Sequence, residues 1–354
     1  MKKISSKISL FIIICLASIG LSRAQSQLTN LPSLYINTTN GQAITDKVTW
    51  IPGNIVVVST DTSEVLSATT EIRGRGNSTW GFAKKPYRIR LTVKDKLIDM
   101  PANARNWVLL ANHADKSLIR NAVAFKIGKI LGFEYTPACR FVDFTLNNQY
   151  LGNYLATDQM EVGGDRVDID KLDTLDFTEP NLSGGYLLEL DGFASGEPVW
   201  FTTAKGLKIT VKSPDNDKIN PAQLEYIKNY IADFESRLFS TNFKDTTLGY
   251  RARVDTTSLI NWYIASELTG NSDAFWSTYV YKKRNDNKLY FGPMWDYDIA
   301  FNNDNRLGDA TEKLMSQYAH DPKTWIQQLL LDEWFRAAVW RRWQTVVANN
   351  LYGT

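Results

Sequence analysis

The sequence predicts an α+β fold in two lobes, a β-rich first part with one helix inserted and a helical second part that carries a β-hairpin. Three observations predict it. Up to about Lys212 the chain runs in short alternating apolar and polar segments separated by Gly- and Asn-bearing turns. From Asn220 the apolar residues Leu224, Ile227, Ile231, Phe234 and Leu238 recur at helical spacing. Within the helical part, Thr278–Lys283 and Lys288–Phe291 flank the polar turn Arg284-Asn285-Asp286-Asn287, which reads as a hairpin.

Taken in order, strands are expected at Leu34–Asn37, Asn54–Val58 and Thr69–Arg73, with Asn40-Gly41 and Pro52-Gly53 as turns. A half-buried strand follows Pro86, because Arg88 and Arg90 alternate with Tyr87, Ile89 and Leu91. Asp115 and Ser117 precede an apolar helical pattern through Ile119, Val123, Ile127 and Ile130 that stops at Gly132. Phe141–Leu146 and Tyr150–Gln159 read as a hairpin around Asn147-Asn148. Gly185–Asp191 and Leu207–Lys212 are further strands. Asn220 with Pro221 opens one helix, Asp255 opens a second that ends near Gly270, and the chain from Lys323 onward is helical. No internal repeat is visible.

The 354 residues suffice for a sizeable core, and 44% hydrophobic with 22% charged residues describes a globular chain. The formal net charge of +2 lacks the basic excess of a nucleic-acid binder. Lys2 and Lys3, the apolar run Ile8–Leu21 and the small-x-small Ser22-Arg23-Ala24 read as a signal peptide over residues 1–24. The mature chain is then expected to be exported, to the periplasm, the cell surface or the medium, with no transmembrane segment left after removal of the signal. Residues 25–70 form an N-terminal β-rich segment and 71–354 the main domain. The end at Leu351–Thr354, soon after a helix, reads as a truncation point of a longer protein. Cys139 is the single cysteine outside the leader, which rules out an intramolecular disulfide and a cysteine-based metal centre in the mature chain. With two histidines far apart, chemistry falls to carboxylates, Lys, Arg and backbone amides.

Asn271-Ser272-Asp273 precedes the hairpin and Trp295-Asp296-Tyr297-Asp298 follows it. A turn centred between Asn285 and Asp286 sets Asp273 opposite Asp298, with Asp296 nearby. Carboxylates held together in this way repel unless a cation or proton lies between them. Hard oxygen ligands of this kind suit magnesium or calcium. The same residues also read as an ordinary acidic loop. In Arg73-Gly74-Arg75-Gly76-Asn77-Ser78 two alternate glycines let backbone amides approach an anion. Lys84, Lys85, Arg88 and Arg90 lie close by in sequence. Paired arginines on one strand face can bind phosphate, or can be a solvated face paired with Glu71 and Asp95. Arg120 and Asn121 lie where they can reach back to the site. Glu189 and Asp191 alternate with Leu188 and Leu190, which reads as solvent exposure.

Four ordered blocks resemble the CotH kinase family. They are Ile72–Trp80 with Lys84–Leu91, Trp107–Asn112 with Asp115, Ser117, Arg120 and Asn121, Gly185–Asp191, and Trp295–Asp298. The resemblance runs from about Ile72 to about Asp304 and implies a protein-kinase-like two-lobed fold. It implies magnesium-dependent phosphoryl transfer from ATP to a protein hydroxyl, with Asp273 catalytic and Asp296, with Asp298, on the metal. Lys85, Arg88, Arg90 and Arg75 are then candidates for phosphate contact. Two departures stand out. Thr278 occupies the position of the second metal-binding Asn of kinases, and the helix before Gly132 holds no carboxylate to pair with a phosphate-binding Lys, so that pair is either missing or supplied from elsewhere, with Glu189 the candidate. The expected partners are a protein substrate, co-secreted or at the surface, and a glycan. The alternative is a non-catalytic surface module that binds glycans or proteins through the aromatic residues, 12% of the chain. Glycoside hydrolysis by paired carboxylates is a third reading, but it leaves the basic strand unexplained.

Overall fold

The structure, a computed structural model, describes residues 29–61, 63–320 and 323–349. The expected signal peptide, Cys15 and the chain end from 350 lie outside the described residues. The first lobe contains β1 (Ser33–Thr38), β2 (Ile51–Val58), β3 (Glu64–Gly74), β4 (Tyr87–Asp95), β5 (Ala104–Leu110), α1 (Arg120–Leu131), β6 (Cys139–Leu146) and β7 (Gln149–Asp158). Its strands close into a barrel in the order β1-β2-β3-β4-β5-β7-β6. Parallel pairing of β1 with β6 seals it, from Ser33 opposite Asp143 to Ile36 opposite Leu146. Closure leaves no strand edge open to another chain. This closed sheet is the point at which the first lobe departs from the expected kinase-type lobe.

Alternation supplies the barrel core. Ile36, Ile55, Ile72, Ile89, Trp107 and Phe144 are fully buried, and Phe144 sits edge-on to Tyr87 and Tyr154 at 5.7 and 5.1 Å. The expected boundary at residue 70 falls inside β3, so residues 33–74 build the same barrel as the strands that follow. Asn147 and Asn148 take positive φ of 49° and 63°, the two-residue turn that Asn tolerates in a hairpin. The unexpected strand is β5, whose Arg105 and Asn106 interrupt the apolar pattern before Trp107.

The second lobe is organised on a five-stranded antiparallel sheet in the order β12-β11-β8-β10-β9, comprising β8 (Tyr186–Asp191), β9 (Trp200–Thr202), β10 (Lys208–Ser213), β11 (Ser277–Lys282) and β12 (Leu289–Phe291). The hairpin expected to stand alone among helices is therefore joined to β8, with Tyr279 opposite Glu189 and Ser277 opposite Asp191. Helices α2 (Pro221–Leu238), α3 (Thr256–Thr269), α4 (Met315–Tyr318), α5 (Lys323–Leu329) and α6 (Glu333–Ala348) complete the lobe. Asn220 and Gln223 form a capping box on α2, and Asp255 caps α3 through the Ser258 amide at 2.7 Å. Leu188, Leu190 and Ile209 join Ile231, Phe234, Leu259 and Trp325 in the helical core. The opposite face of β8 turns toward the barrel. Among the described residues, no helix is long and apolar enough to cross a membrane.

Helix α1 ties the lobes together. Asn261 donates to the Leu131 carbonyl at 2.8 Å, and Arg342 donates to the same carbonyl at 2.7 Å and to the Asn261 side chain at 2.9 Å. These bonds satisfy the last carbonyls of α1 inside the protein. On its other side Phe125 stacks on Trp295, with ring centres 6.1 Å apart. Phe144→Ala should lower stability by about 3–5 kcal/mol, read from the urea unfolding midpoint, because it opens a cavity inside a closed barrel.

Candidate active site

The hairpin register brings the expected aspartates to one place. Val280 pairs with Phe291, Tyr281 with Tyr290 and Lys282 with Leu289. Asp273 lies in the turn just before β11, and Asp296 and Asp298 lie in the segment that follows β12. Asp273, Asp296 and Asp298 all line one cavity of about 630 Å³ between the lobes. Asp296 takes a positive φ of 65°, a conformation that a non-glycine residue holds only where its surroundings enforce it.

Those surroundings are the polar loop before α1. Asn121 accepts from the Tyr297 amide at 2.7 Å and donates to Asn112 at 3.3 Å, and Asn112 donates to the Leu118 carbonyl at 2.9 Å. Asn303 bridges the Ala114 and Asp298 carbonyls at 3.0 and 2.8 Å. Asp115 accepts from the Arg120 amide at 2.9 Å and is ion-paired with the Arg120 guanidinium. Arg120 therefore serves the loop, and Asn121 holds the acidic segment from behind. This is the reach toward the site expected of that pair, and it is structural.

Asp273 is half-buried, and its Oδ1 accepts no hydrogen bond. The His320 imidazole and the Arg306 guanidinium stand just beyond hydrogen-bond distance, Nε2 at 3.7 Å and Nη2 at 3.9 Å. His320 is held by donating its backbone amide to the Ser272 carbonyl at 2.9 Å and by stacking on Trp276 at 4.1 Å. The other face of Trp276 lies on Gly192, where a Cβ would come within 2.5 Å of the indole. Arg306 pairs mainly with Asp304 at 2.8 Å, and Asp304 accepts from Ser272 at 2.9 Å.

The cationic wall differs from the expected one. Arg75 and Arg88 line the cavity, together with Lys84. Arg75 lies 5.6 Å from the Trp295 ring centre and is the cation that most opposes the rise of the Asp296 pKa. Lys85 is turned away, donating to the Trp80 carbonyl at 2.7 Å across that indole. Arg90 is tied to Glu71 through Nε at 2.8 Å and lies 4.4 Å from the Trp50 ring centre, outside this cavity. Strand alternation put Arg88 and Arg90 on one face correctly. The barrel's tilt carries only the nearer of them to the cleft.

The glycine turn also differs. The Gly74 and Arg75 amides donate to Asp46 and Pro86 carbonyls at 3.0 and 3.2 Å, so neither faces an anion. Gly74 is required because a Cβ would lie 2.5 Å from the Trp80 ring, and Gly76 because its φ is 88°.

Glu189 and Asp191, expected at the surface, are buried because the barrel covers their face of β8. Asp191 accepts from Thr210 at 2.8 Å and from the Phe193 amide at 2.7 Å, which shapes the turn beneath Trp276. Glu189 accepts from Ser277 at 2.9 Å and pairs with Lys212 at 3.1 Å; Lys212 also pairs with Glu197 at 3.5 Å. Lys212, on β10, lines the cavity and is not among the residues singled out from the sequence, where it is only the end of an alternating strand. Pairing of β10 with β8 is what sets it beside Glu189.

Electrostatics set the aspartates apart. Burial, and then the Asp296 charge, push Asp273 up to about 7 against the pull of Arg306. Burial and the charges of Asp296 and Asp273 raise Asp298 to about 8. Asp296 is itself raised by burial, opposed by Arg75. Burial lowers Arg88 to about 10, with Arg73 next in effect. Lys212 loses by burial, but Glu189 and then Tyr279 and Glu197 more than restore its charge.

A magnesium ion fits this donor set. Among the described residues no group of three or more His, Cys, Asp or Glu side chains encloses a metal by itself. Magnesium ordinarily takes one or two carboxylates and draws its remaining ligands from water and phosphate. Buried carboxylates that repel one another and an Asp273 oxygen without a donor suit such a cation.

An acid whose folded pKa exceeds its unfolded value stabilises the fold fully below the unfolded value, and that stability is lost as pH rises through the folded one. Chelator-treated protein should therefore lose thermal stability between 3.8 and about 8. Asp298→Asn should flatten that loss and raise the melting midpoint above pH ~8 but not at pH ~4, as read by calorimetry.

A family model described as CotH kinase protein matches residues 72–352. No curated protein matches the chain. The matched span takes in β4 through α6, both walls of the cavity and every aspartate in it. The chain belongs to the CotH kinase protein family.

Proposed function

We propose that this protein catalyses magnesium-dependent phosphoryl transfer from ATP to a hydroxyl of a protein substrate, on a two-lobed, protein-kinase-like arrangement. The observation that carries the reading is the meeting of Asp273 with Asp296 at the mouth of the hairpin, opposite a cationic wall and beside the buried Lys212–Glu189 pair. Phosphoryl transfer needs a carboxylate for the attacking hydroxyl, an acidic site for metal, and cations along the phosphates. The cavity offers all three.

Asp273 orients the acceptor hydroxyl and takes its proton on the carboxylate, whose raised affinity for a proton suits a general base near neutral pH. Asp296, with Asp298, would hold magnesium, which when bound neutralises the phosphate charge. Arg75 and Arg88 direct guanidinium groups at the phosphates, and Lys212 is held straight by Glu189 in the manner of a phosphate-binding lysine. Thr278 donates its hydroxyl to the Ala274 carbonyl and is buried, so it offers nothing to a second metal. The reading places the protein outside the cytoplasm, with substrates among co-secreted or surface proteins.

ATP with magnesium should raise the melting midpoint of the purified protein. Asp296→Asn should abolish that rise, and Asp273→Asn should keep it while removing transfer of labelled phosphate. A wild-type protein that shows no rise at saturating ATP would instead be a non-catalytic module that binds glycan or protein.

Lys212→Met should lower transfer by about 10–100-fold, the worth of one charge-assisted bond of ~1.5–3 kcal/mol. Lys85→Ala and Arg90→Ala should leave it within about twofold, because Lys85 is bonded to the Trp80 carbonyl and Arg90 is paired with Glu71, and neither lines the cavity of the aspartates.

A further inference from the structure

A second cavity, of about 650 Å³, opens from the first across Arg88 and Lys212, which line both. Its walls are β4 and β5 of the barrel on one side and the loops that carry Glu161–Leu172 and Ser213–Lys218 on the other. Eight basic and three acidic side chains line it. The acids are already engaged. Glu161 is paired with Arg166 and accepts from Asn106 at 3.0 Å, Asp165 accepts from the Asn103 amide at 3.2 Å, and Asp215 lies 3.8 Å from Lys218.

Several cations are not engaged in that way. Arg88, Lys94, Arg105 and Lys171 make no ion pair with a carboxylate among the described residues. Arg105 spends only its Nε, on the Leu91 carbonyl at 2.9 Å, and the Arg88 Nε is buried with no acceptor. Burial and the neighbouring Arg73 already act against the Arg88 charge, so this wall holds uncompensated positive charge. Apolar lining is confined to Ala104, Val162, Leu172 and Pro214, and no aromatic ring faces the space. A nucleobase would find no stacking surface there. A chain of phosphates would find forked donors at close spacing.

Position adds a second argument. The three aspartates line only the first cavity, and the second begins where β10 ends. With the acceptor at Asp273 and the transferred group between the aspartates and Arg88, a phosphate chain longer than the three of ATP has the second cavity to run into. We propose that this cavity binds a phosphate chain, and that the cleft takes linear polyphosphate as a phosphoryl donor in addition to ATP. The inference rests on the phosphotransferase reading for its catalytic half and on the cavity alone for its binding half.

In the transfer step the acceptor oxygen forms a bond to the terminal phosphorus as the bridging P–O bond breaks. The bonding electrons leave with a chain one phosphate shorter, and the hydroxyl proton passes to the Asp273 carboxylate. No other reactant is needed.

The test uses the full chain with magnesium, inorganic polyphosphate of a defined length as the probe, and sulfate at equal ionic strength as control. Polyphosphate should raise the melting midpoint where sulfate does not. The charge reversal Lys94→Glu with Arg105→Glu should weaken polyphosphate binding at least about tenfold, since each charge-assisted contact is worth roughly that much, and leave the ATP–magnesium shift unchanged. The milder Lys94→Gln with Arg105→Gln should give the same order of effect if the reversal fails to fold. Polyphosphate labelled at its terminal phosphate should pass label to protein, and Asp273→Asn should stop it. Unchanged polyphosphate affinity in both double variants, or a sulfate shift equal to that of polyphosphate, overturns the proposal. Groove-dependent binding without transfer from either donor would retain the anion site and instead remove the phosphotransferase reading.

Discussion

Three carboxylates that repel one another are held together in a partly dry cleft, and the rest of the protein can be read as the apparatus that keeps them there. Asp296 raises the proton affinity of Asp273, and Asp296 and Asp273 raise that of Asp298, on top of what burial does. Such an arrangement survives only when the surrounding fold opposes the repulsion. Two devices do this. The β11–β12 register fixes the two chain segments opposite one another. The Asn112–Asn121 loop then holds the second segment by its backbone, through the Tyr297 amide directly and through the Asp298 carbonyl by way of Asn303.

The two lobes contribute unlike halves of the site. The second lobe supplies the Lys212–Glu189 pair from adjacent strands of one antiparallel sheet, and the acids from the segments just before β11 and after β12. The barrel supplies Arg75, Lys84 and Arg88 from a closed surface whose curvature limits which basic residues reach the cleft. Arg90, two residues from Arg88 on the same face, is drawn instead to Glu71 and Trp50. Closure of the barrel thus has a functional consequence, since it divides one basic strand between two cavities. Helix α1 spans both lobes, with its start bound to the acidic loop and its end clamped by Asn261 and Arg342.

The chain that follows Asp298 brings a feature of its own to Asp273. Arg306 and, further on, His320 both approach that carboxylate. The histidine is steered by the Trp276 indole, which in turn needs Gly192 behind it. A small residue in one turn, an aromatic ring in the next and a backbone bond to Ser272 together orient one imidazole. No local pattern around His320 carries that information.

Much of the site was legible before any coordinates. Asp273, Asp296 and Asp298 could be paired by counting outward from a polar turn, because a hairpin is a local object whose register follows from its loop. The strands, the capped helices and the glycine stop of α1 were likewise readable, each being set by neighbours within a few residues. What sequence alone could not reach were relations between segments far apart in the chain. Pairing of β10 with β8 turned Lys212 from a strand terminus into the partner of Glu189, and coverage by the barrel turned Glu189 and Asp191 from surface acids into buried ones. Barrel closure sent Lys85 and Arg90 away from the cleft, and the Gly74 and Arg75 amides were taken by Asp46 and Pro86. Alternation tells which side chains share a face. Only tertiary packing decides what that face meets, because burial and charge pairing are properties of the surface on the other side.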